Sequence, residues 1–398
     1  MAASIERAAL ALGALESSIQ LDGASYVSLL ASRDAVGAVR SEGKTVTVHS
    51  YFAARAAASQ EMAARLCDKY VATLARAQER LEELPLSLRL LRELHLSLLD
   101  GVVDPRTTPG EFRRTQNWLG SPGCTLSNAT FVPPPPHEMT DVLHDWESFL
   151  HRVSTLPTLV RLGLAHYQYL VIHPFLDMNI LTGAVLAAVM LQHFGIARSP
   201  LPIYGRWLER NSRNLLQRVL SVCSAACWEE WLSWYLHGVA DAAHDTLECL
   251  ERLRQLRSQH MTRLEAVQAS AVMRRSYDAL LRQPAITADW LMAHENLSPI
   301  ETRDALGLLE SEGIVVREDS HENGIYYASG ILSALEDGGA YSFPFCRRRS
   351  SATQYTPSPE RTGPKHRLQE IHVERRASPA CHRLTRSGSR MSGRLRAT

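Results

Sequence analysis

His173-Pro-Phe-Leu-Asp177-Met-Asn179-Ile-Leu-Thr-Gly-Ala184 is the stretch on which the reading of this chain turns. Upstream, Leu159-Val-Arg-Leu-Gly-Leu-Ala-His-Tyr-Gln-Tyr repeats apolar residues at helical spacing, and a second helix begins downstream near Leu181. The stretch is therefore a loop between two helices. Taken alone, it has a bland reading. A single histidine before proline is ordinarily a loop or core residue, and Asp177 stands where it could cap the following helix.

Outward from the loop, the body reads as mainly α. Leu88-Arg-Leu-Leu-Arg-Glu-Leu-His-Leu-Ser-Leu-Leu repeats the helical pattern, as does most of the chain from His137 to about Arg282. Thr107 to Pro136 departs from it, being rich in Gly, Pro, Asn and Thr, with extended pieces around Gln116-Asn-Trp118 and Ala129-Thr-Phe-Val132. That chemistry predicts a β-hairpin followed by a stiff polyproline entry to the next helix. Pro284 marks a joint. After it come a helix over Thr287 to His294, a capping-box start at Ser298-Pro-Ile-Glu301, and extended runs Ile314-Val-Val-Arg and Ile325-Tyr-Tyr around His321-Glu-Asn-Gly. The order resembles a winged helix.

Beyond about Gly338 the composition turns to Arg, Ser, Pro and Gly, with too little apolar surface to offset the entropy of ordering, which predicts disorder. The tail reads as a solvated segment, with a nucleic-acid tether and an out-of-frame extension of a GC-rich gene as alternatives. Domain expectations follow: an N-terminal helical region over 1–60, a core over 61–283, a winged-helix-like unit over 284–335 and a disordered basic tail over 336–398.

Composition narrows the function classes. An apolar share of 45% in 398 residues allows two or three domains with a sizeable core, and the net charge of +1 owes its basic excess mostly to the tail. No uninterrupted apolar window of about 18 to 20 residues and no signal-like N-terminus occur, which predicts a cytoplasmic protein with no membrane association. The seven cysteines lack CxxC spacing. Cys223 and Cys227 lie one helical turn apart without a third ligand, so buried thiols are expected rather than zinc.

His173-Pro-Phe-x-Asp177-x-Asn179 resembles the Fic (Fido) signature HPFxDGNGRxxR. Gly110-Glu-Phe-Arg-Arg-Thr-Gln-Asn-Trp118 and Ser127-Asn-Ala-Thr-Phe-Val-Pro-Pro-Pro-Pro-His-Glu resemble that family's flap, and Ser18-Ile-Gln-Leu-Asp22-Gly23 resembles its inhibitory motif, S/T-x-x-x-E-G/N. Some bacterial members append a winged helix. Together these segments cover about residues 10 to 330. The implied fold is a helical Fic bundle with a β-hairpin flap about 107–136 and the signature loop at 173–184. The implied activity is transfer of AMP from ATP to a Ser, Thr or Tyr hydroxyl of a target protein. In that scheme His173 takes the hydroxyl proton, Asp177 holds Mg²⁺ and Asn179 helps hold the α-phosphate. The flap residues Gln116, Asn117, Trp118 and Phe131 frame an added target strand, with Trp118 and Phe131 read chiefly as packing residues. A homodimer is left open.

The sequence departs from the signature in its second half. Met178 and Ile180 replace the glycines that shape an anion nest, and Leu181 and Ala184 replace the arginines that clamp the outer phosphates. ATP and Mg²⁺ are the cofactors the resemblance implies, with weak or lost transfer as the leading expectation. The alternatives are an active transferase with an unconventional donor, for which Arg161 is a distant candidate cation, and a non-catalytic protein-interaction or regulatory module. Arg113 and Arg114 read as a solvated face. Arg303 on the second helix of the winged-helix-like unit could meet DNA phosphate, but Glu301, Asp304, Glu310 and Glu312 on that helix argue against it.

Overall fold

The computed structural model describes residues 1–22, 24–121, 123–319 and 324–336, the side chains at 22, 24, 25 and 105 excepted. The expected tail lies outside the described residues, save Glu336. In chain order the helices are α1 (Ala2–Asp22), α2 (Ala24–Ser41), α3 (Val48–Ala56), α4 (Met62–Glu83), α5 (Leu88–Leu99), α6 (Pro136–His151), α7 (Thr158–Ile172), α8 (Asn179–His193), α9 (Tyr204–Ala225), α10 (Trp228–Ala266), α11 (Ala271–Leu280), α12 (Ala288–Glu295), α13 (Pro299–Ser311) and α14 (Ser329–Leu335). None is long and apolar enough to cross a membrane.

The core is organised around α8. Every residue from Asn179 to Leu191 is buried, as expected of a helix that is apolar on all sides. Around it pack α7, α2, α4, α5 and α9, while α1 lies along α10. Helices α2 and α9 approach closely: a Cβ built on Gly205 would sit 1.9 Å from the Asp34 carbonyl oxygen, so only glycine permits that approach. Buried charges tie this region together. Arg33 forks onto Asp245 at 2.8 and 3.0 Å, Arg206 also reaches Asp245 at 3.3 Å, and Arg40 bonds Glu209 at 2.8 Å.

The C-terminal unit follows the expected order of elements. Thr287 caps α12 through Trp290 N–H, and Ser298 and Glu301 form the reciprocal capping box of α13. Strands β1 (Ala285–Ile286), β2 (Val316–Glu318) and β3 (Ile325–Tyr327) form an antiparallel sheet in the order β1-β3-β2, with Ala285 and Val316 flanking Tyr327. Helix α14 was not foreseen; it returns the chain to α10, α2 and α3.

Two expectations need adjusting. The hairpin over 107–136 is one antiparallel bridge, Leu119 N–H to Phe131 O at 2.8 Å and Phe131 N–H to Leu119 O at 2.9 Å. The cysteines are buried at Cys67, Cys223 and Cys249, whereas Cys124 and Cys227 are partly exposed.

Candidate functional site

The signature loop is a tight connection braced by its neighbours. Helix α7 ends at Ile172, and His173 reverses the chain in the left-handed region (φ 50°, ψ 60°), its N–H donating to Tyr169 O at 3.0 Å. Met178 takes the same region (φ 55°, ψ 30°) as the N-cap of α8. A side chain there is strained, as anticipated for this position. Ile180 is not: it is an ordinary helical residue of α8, which starts two residues earlier than the apolar pattern suggested. Asp177 accordingly caps nothing inside the helix; its Oδ1 accepts from Met178 N–H at 2.9 Å.

Side chains from α8, the flap and α5 hold the loop's backbone. Asn179 is stapled to Phe175, its Oδ1 accepting from Phe175 N–H and its Nδ2 donating to Phe175 O, both at 2.9 Å. Asn117 Nδ2 donates to the same carbonyl at 3.0 Å, bringing the flap against the loop. His95 of α5 stacks on the Phe175 ring with centroids 3.7 Å apart, accepts from Gly110 N–H at 2.8 Å and reaches Asp177 O at 3.3 Å.

Arg113 is the brace that sequence reasoning missed. It is no solvated residue: 2% exposed, it donates to His173 O at 3.0 Å, to Ile172 O and Thr115 O at 3.4 Å, and to Pro134 O. A guanidinium suits the carbonyl-rich C-terminus of α7, where five fixed donors meet orphan acceptors. Arg114, by contrast, is exposed and pairs with Glu111.

Burial sets the protonation of the site. Desolvation, with Arg113 nearby, pushes His173 down to about 3, and His95 falls to about 4 for the first of these reasons. Arg113, desolvated and bonded only to carbonyls, is lowered to about 10. Both imidazoles are thus neutral at physiological pH. His173 Nδ1 is buried without a hydrogen-bond partner, as is Asn117 Oδ1.

The N-terminus of α8 is where an anion would dock, because its first amides point out of the helix. Here a carboxylate of the same chain occupies that place. Glu42, in the turn after α2, accepts from Leu181 N–H through Oε1 at 2.8 Å. Leu181 and Ala184 are fully buried, and Tyr169, whose hydroxyl donates to Asn179 O at 3.0 Å, packs where a Cβ on Gly183 would come within 2.9 Å.

This braced loop between α7 and α8 coincides with a known domain: the sequence model of the Fic/DOC family matches residues 85–191. Residues 85–191 form a Fic/DOC domain. The chain is 28% identical over 208 residues to the protein adenylyltransferase Fic of Drosophila yakuba, an overlap of 49% of this chain and 38% of that protein. The corresponding protein of Drosophila grimshawi is 29% identical over 167 residues, or 40% and 32% of the two chains. The chain thus spans well under half the length of these curated relatives. A Fic family protein from Desulfovibrio desulfuricans G20 superposes with a TM-score of 0.51 at 15% identity, covering 82% of this chain and 95% of that one, which shows a shared fold.

Within this loop, Asn179 and Asn117 of the flap meet on the backbone of Phe175, which lies between His173 and Asp177 in the chain. Gln116 bonds Asn117 O and Pro133 O within the flap, Trp118 donates to Cys124 O, and Phe131 is buried. Ser18 is not brought to the loop; it lies on α1 against α10, where Arg254 donates to its carbonyl at 3.1 Å. The Asp22 side chain and Gly23 fall outside the described residues. The Glu-Gly pair that does reach the loop is Glu42-Gly43, in Ala38-Val-Arg-Ser-Glu42-Gly43. This keeps the end of the inhibitory motif and puts Ala38 where a hydroxyl is expected.

The residues present do not fit a triphosphate. Asp177 alone would suffice for a Mg²⁺ shared with phosphate oxygens and water, so the misfit lies in the phosphate sites. The amide of Leu181 is taken, and the two clamp positions are apolar and fully buried. Arg161 does not substitute: its guanidinium lies over Phe194 at 4.8 Å and donates to Leu150 O and Arg152 O at 3.1 Å. A cleft of about 440 Å³ lies between α4 and α5, lined by residues including Lys69, Thr73, Arg76 and Ser97, and no signature residue borders it.

Proposed function

We propose that this Fic-family chain is a relative of protein adenylyltransferases in which AMP transfer is silenced, leaving a protein-binding scaffold. The observation that carries this reading is the Glu42 carboxylate on Leu181 N–H. A second anion at that helix terminus would meet like charge instead of a donor, and no arginine stands at 181 or 184 to hold the outer phosphates. Each missing charge-assisted contact is worth roughly 1.5 to 3 kcal/mol, so donor affinity falls by orders of magnitude.

Residues 284–336 are read as a winged-helix-like unit that binds protein rather than nucleic acid, because α13 is acidic and its Arg303 already faces Asp304 at 3.3 Å. A second reading is residual transfer after Glu42 withdraws. It is favoured by His173 Nδ1, buried without a partner at a strained left-handed position.

Label transfer from α-³²P-ATP with Mg²⁺ onto the chain and onto mixed lysate proteins separates the two. Silencing predicts no labelling above the His173→Ala background. Labelling that appears in Glu42→Gly and disappears in the Glu42→Gly, His173→Ala double variant supports the second reading. Robust labelling by the unaltered chain overturns the first.

A further inference from the structure

We infer that docking of the C-terminal unit onto α2 and α3 holds Glu42 in the N-terminus of α8, so that displacing this unit opens the loop to anions. The inference rests on the reading of Glu42 given above and adds its control.

Glu42 sits in the short turn between α2 and α3, and residues around Glu336 hold both sides of that turn. On the far side, Glu336 Oε1 accepts from Val48 N–H at 2.8 Å, placing a carboxylate on the first turn of α3. On the near side the same oxygen lies 3.6 Å from Arg40 Nη2. Arg40 also donates to Val46 O at 2.6 Å and to Glu209 at 2.8 Å, so this one guanidinium links α2, the turn, α9 and the C-terminal unit.

Further contacts repeat the linkage. Arg33 donates to Leu335 O at 2.8 Å, Arg252 to Ala334 O at 3.2 Å, and His49 stacks on Tyr327 with centroids 4.7 Å apart. Within the turn, Gly43 adopts φ 73° and its N–H donates to Arg40 O at 2.8 Å, so the backbone of Glu42 moves with Arg40. The path from the C-terminal unit to the loop is therefore Glu336, Arg40, Glu42, Leu181. A partner that engages α14 or β3 competes for the first of these contacts, and the carboxylate on Leu181 N–H is released with it.

Hydrogen exchange of the Leu181 amide, measured on the full chain by NMR, tests the path, with amides 185–190 of α8 as internal reference. Glu42→Ala, which removes the acceptor, raises Leu181 exchange relative to that reference; Glu336→Ala raises it by about tenfold as well. Glu336→Gln, which keeps the shape of the half-exposed side chain, gives a smaller increase and covers the case in which the alanine variant folds poorly. If Glu42→Ala accelerates Leu181 and both Glu336 variants leave it at the wild-type rate, the coupling is overturned while the reading of Glu42 stands. If Glu42→Ala leaves Leu181 unchanged, the reading of Glu42 falls and the coupling with it.

Discussion

Glu42 and Leu181 lie 139 residues apart in sequence, yet Glu42 Oε1 accepts from Leu181 N–H at 2.8 Å across the first turn of α8. The contact places a carboxyl group on an amide at the N-terminus of α8, the end of a helix that attracts anions. It also depends on how tightly α2 is seated and how firmly the loop is braced, and both can be perturbed.

Gly205 sets the seat of α2. Gly205→Ala places a methyl 1.9 Å from Asp34 O, a backbone atom that can yield only by moving the helix. Destabilisation should exceed the roughly 1 to 3 kcal/mol of ordinary overpacking. Urea unfolding checks it; a change below 1 kcal/mol would mean that α2 and α9 are not closely packed.

Arg113 braces the loop by geometry as well as charge. Arg113→Lys keeps the charge but cannot span the carbonyls of Ile172, His173, Thr115 and Pro134. Unsatisfied buried acceptors each cost about 1 to 3 kcal/mol. A loss of at least 2 kcal/mol is expected from denaturant titration, together with shifts of the His173 imidazole signals in NMR.

Met178→Gly relieves a left-handed side chain, a gain of about 1 to 2 kcal/mol, but removes a methionine that is 2% exposed. Loss of a buried Met side chain costs about 2 to 5 kcal/mol. The net is destabilising, by about 1 to 3 kcal/mol in the same assay. A stabilised variant would show that strain, not packing, dominates there.

Acid should unfold the protein early. Burial lowers His95 to about 4 and His166 and His173 to about 3, from an unfolded value near 6.5. The stability these neutral imidazoles support is fully present above pH 6.5 and lost as pH falls toward their folded values. Asp34 works oppositely: burial raises it from 3.8 to about 6, so its contribution is complete below 3.8 and lost as pH rises through 6. Three histidines against one aspartate leave a net slope of about 3 kcal/mol per pH unit between pH 4 and 6, stability rising with pH. Thermal midpoints that stay flat over this window would refute the burial of these groups.

What the sequence made legible was what is local. His173 to Asn179 carries its signature within a few residues, and Thr287, Ser298 and Glu301 announce helix starts because capping is a short-range bond. Ala38-Val-Arg-Ser-Glu42-Gly43 lacks the hydroxyl that makes Ser18-Ile-Gln-Leu-Asp22-Gly23 conspicuous, and the proximity of Glu42 to Leu181 exists only after folding. Arg113 beside Arg114 looks like a solvated pair until the carbonyls that surround one of them are placed. Ile180 needed no left-handed backbone because α8 begins at Asn179, a boundary set by tertiary packing rather than by periodicity.

The central claim, that the α8 N-terminus is closed to nucleotide phosphate, is tested most directly by calorimetric titration of ATP with Mg²⁺ into the unaltered chain and into Glu42→Ala. A dissociation constant of roughly millimolar or weaker is predicted for the former, with tightening of at most about tenfold in the latter, since Leu181 and Ala184 remain. Micromolar binding by the unaltered chain would contradict it.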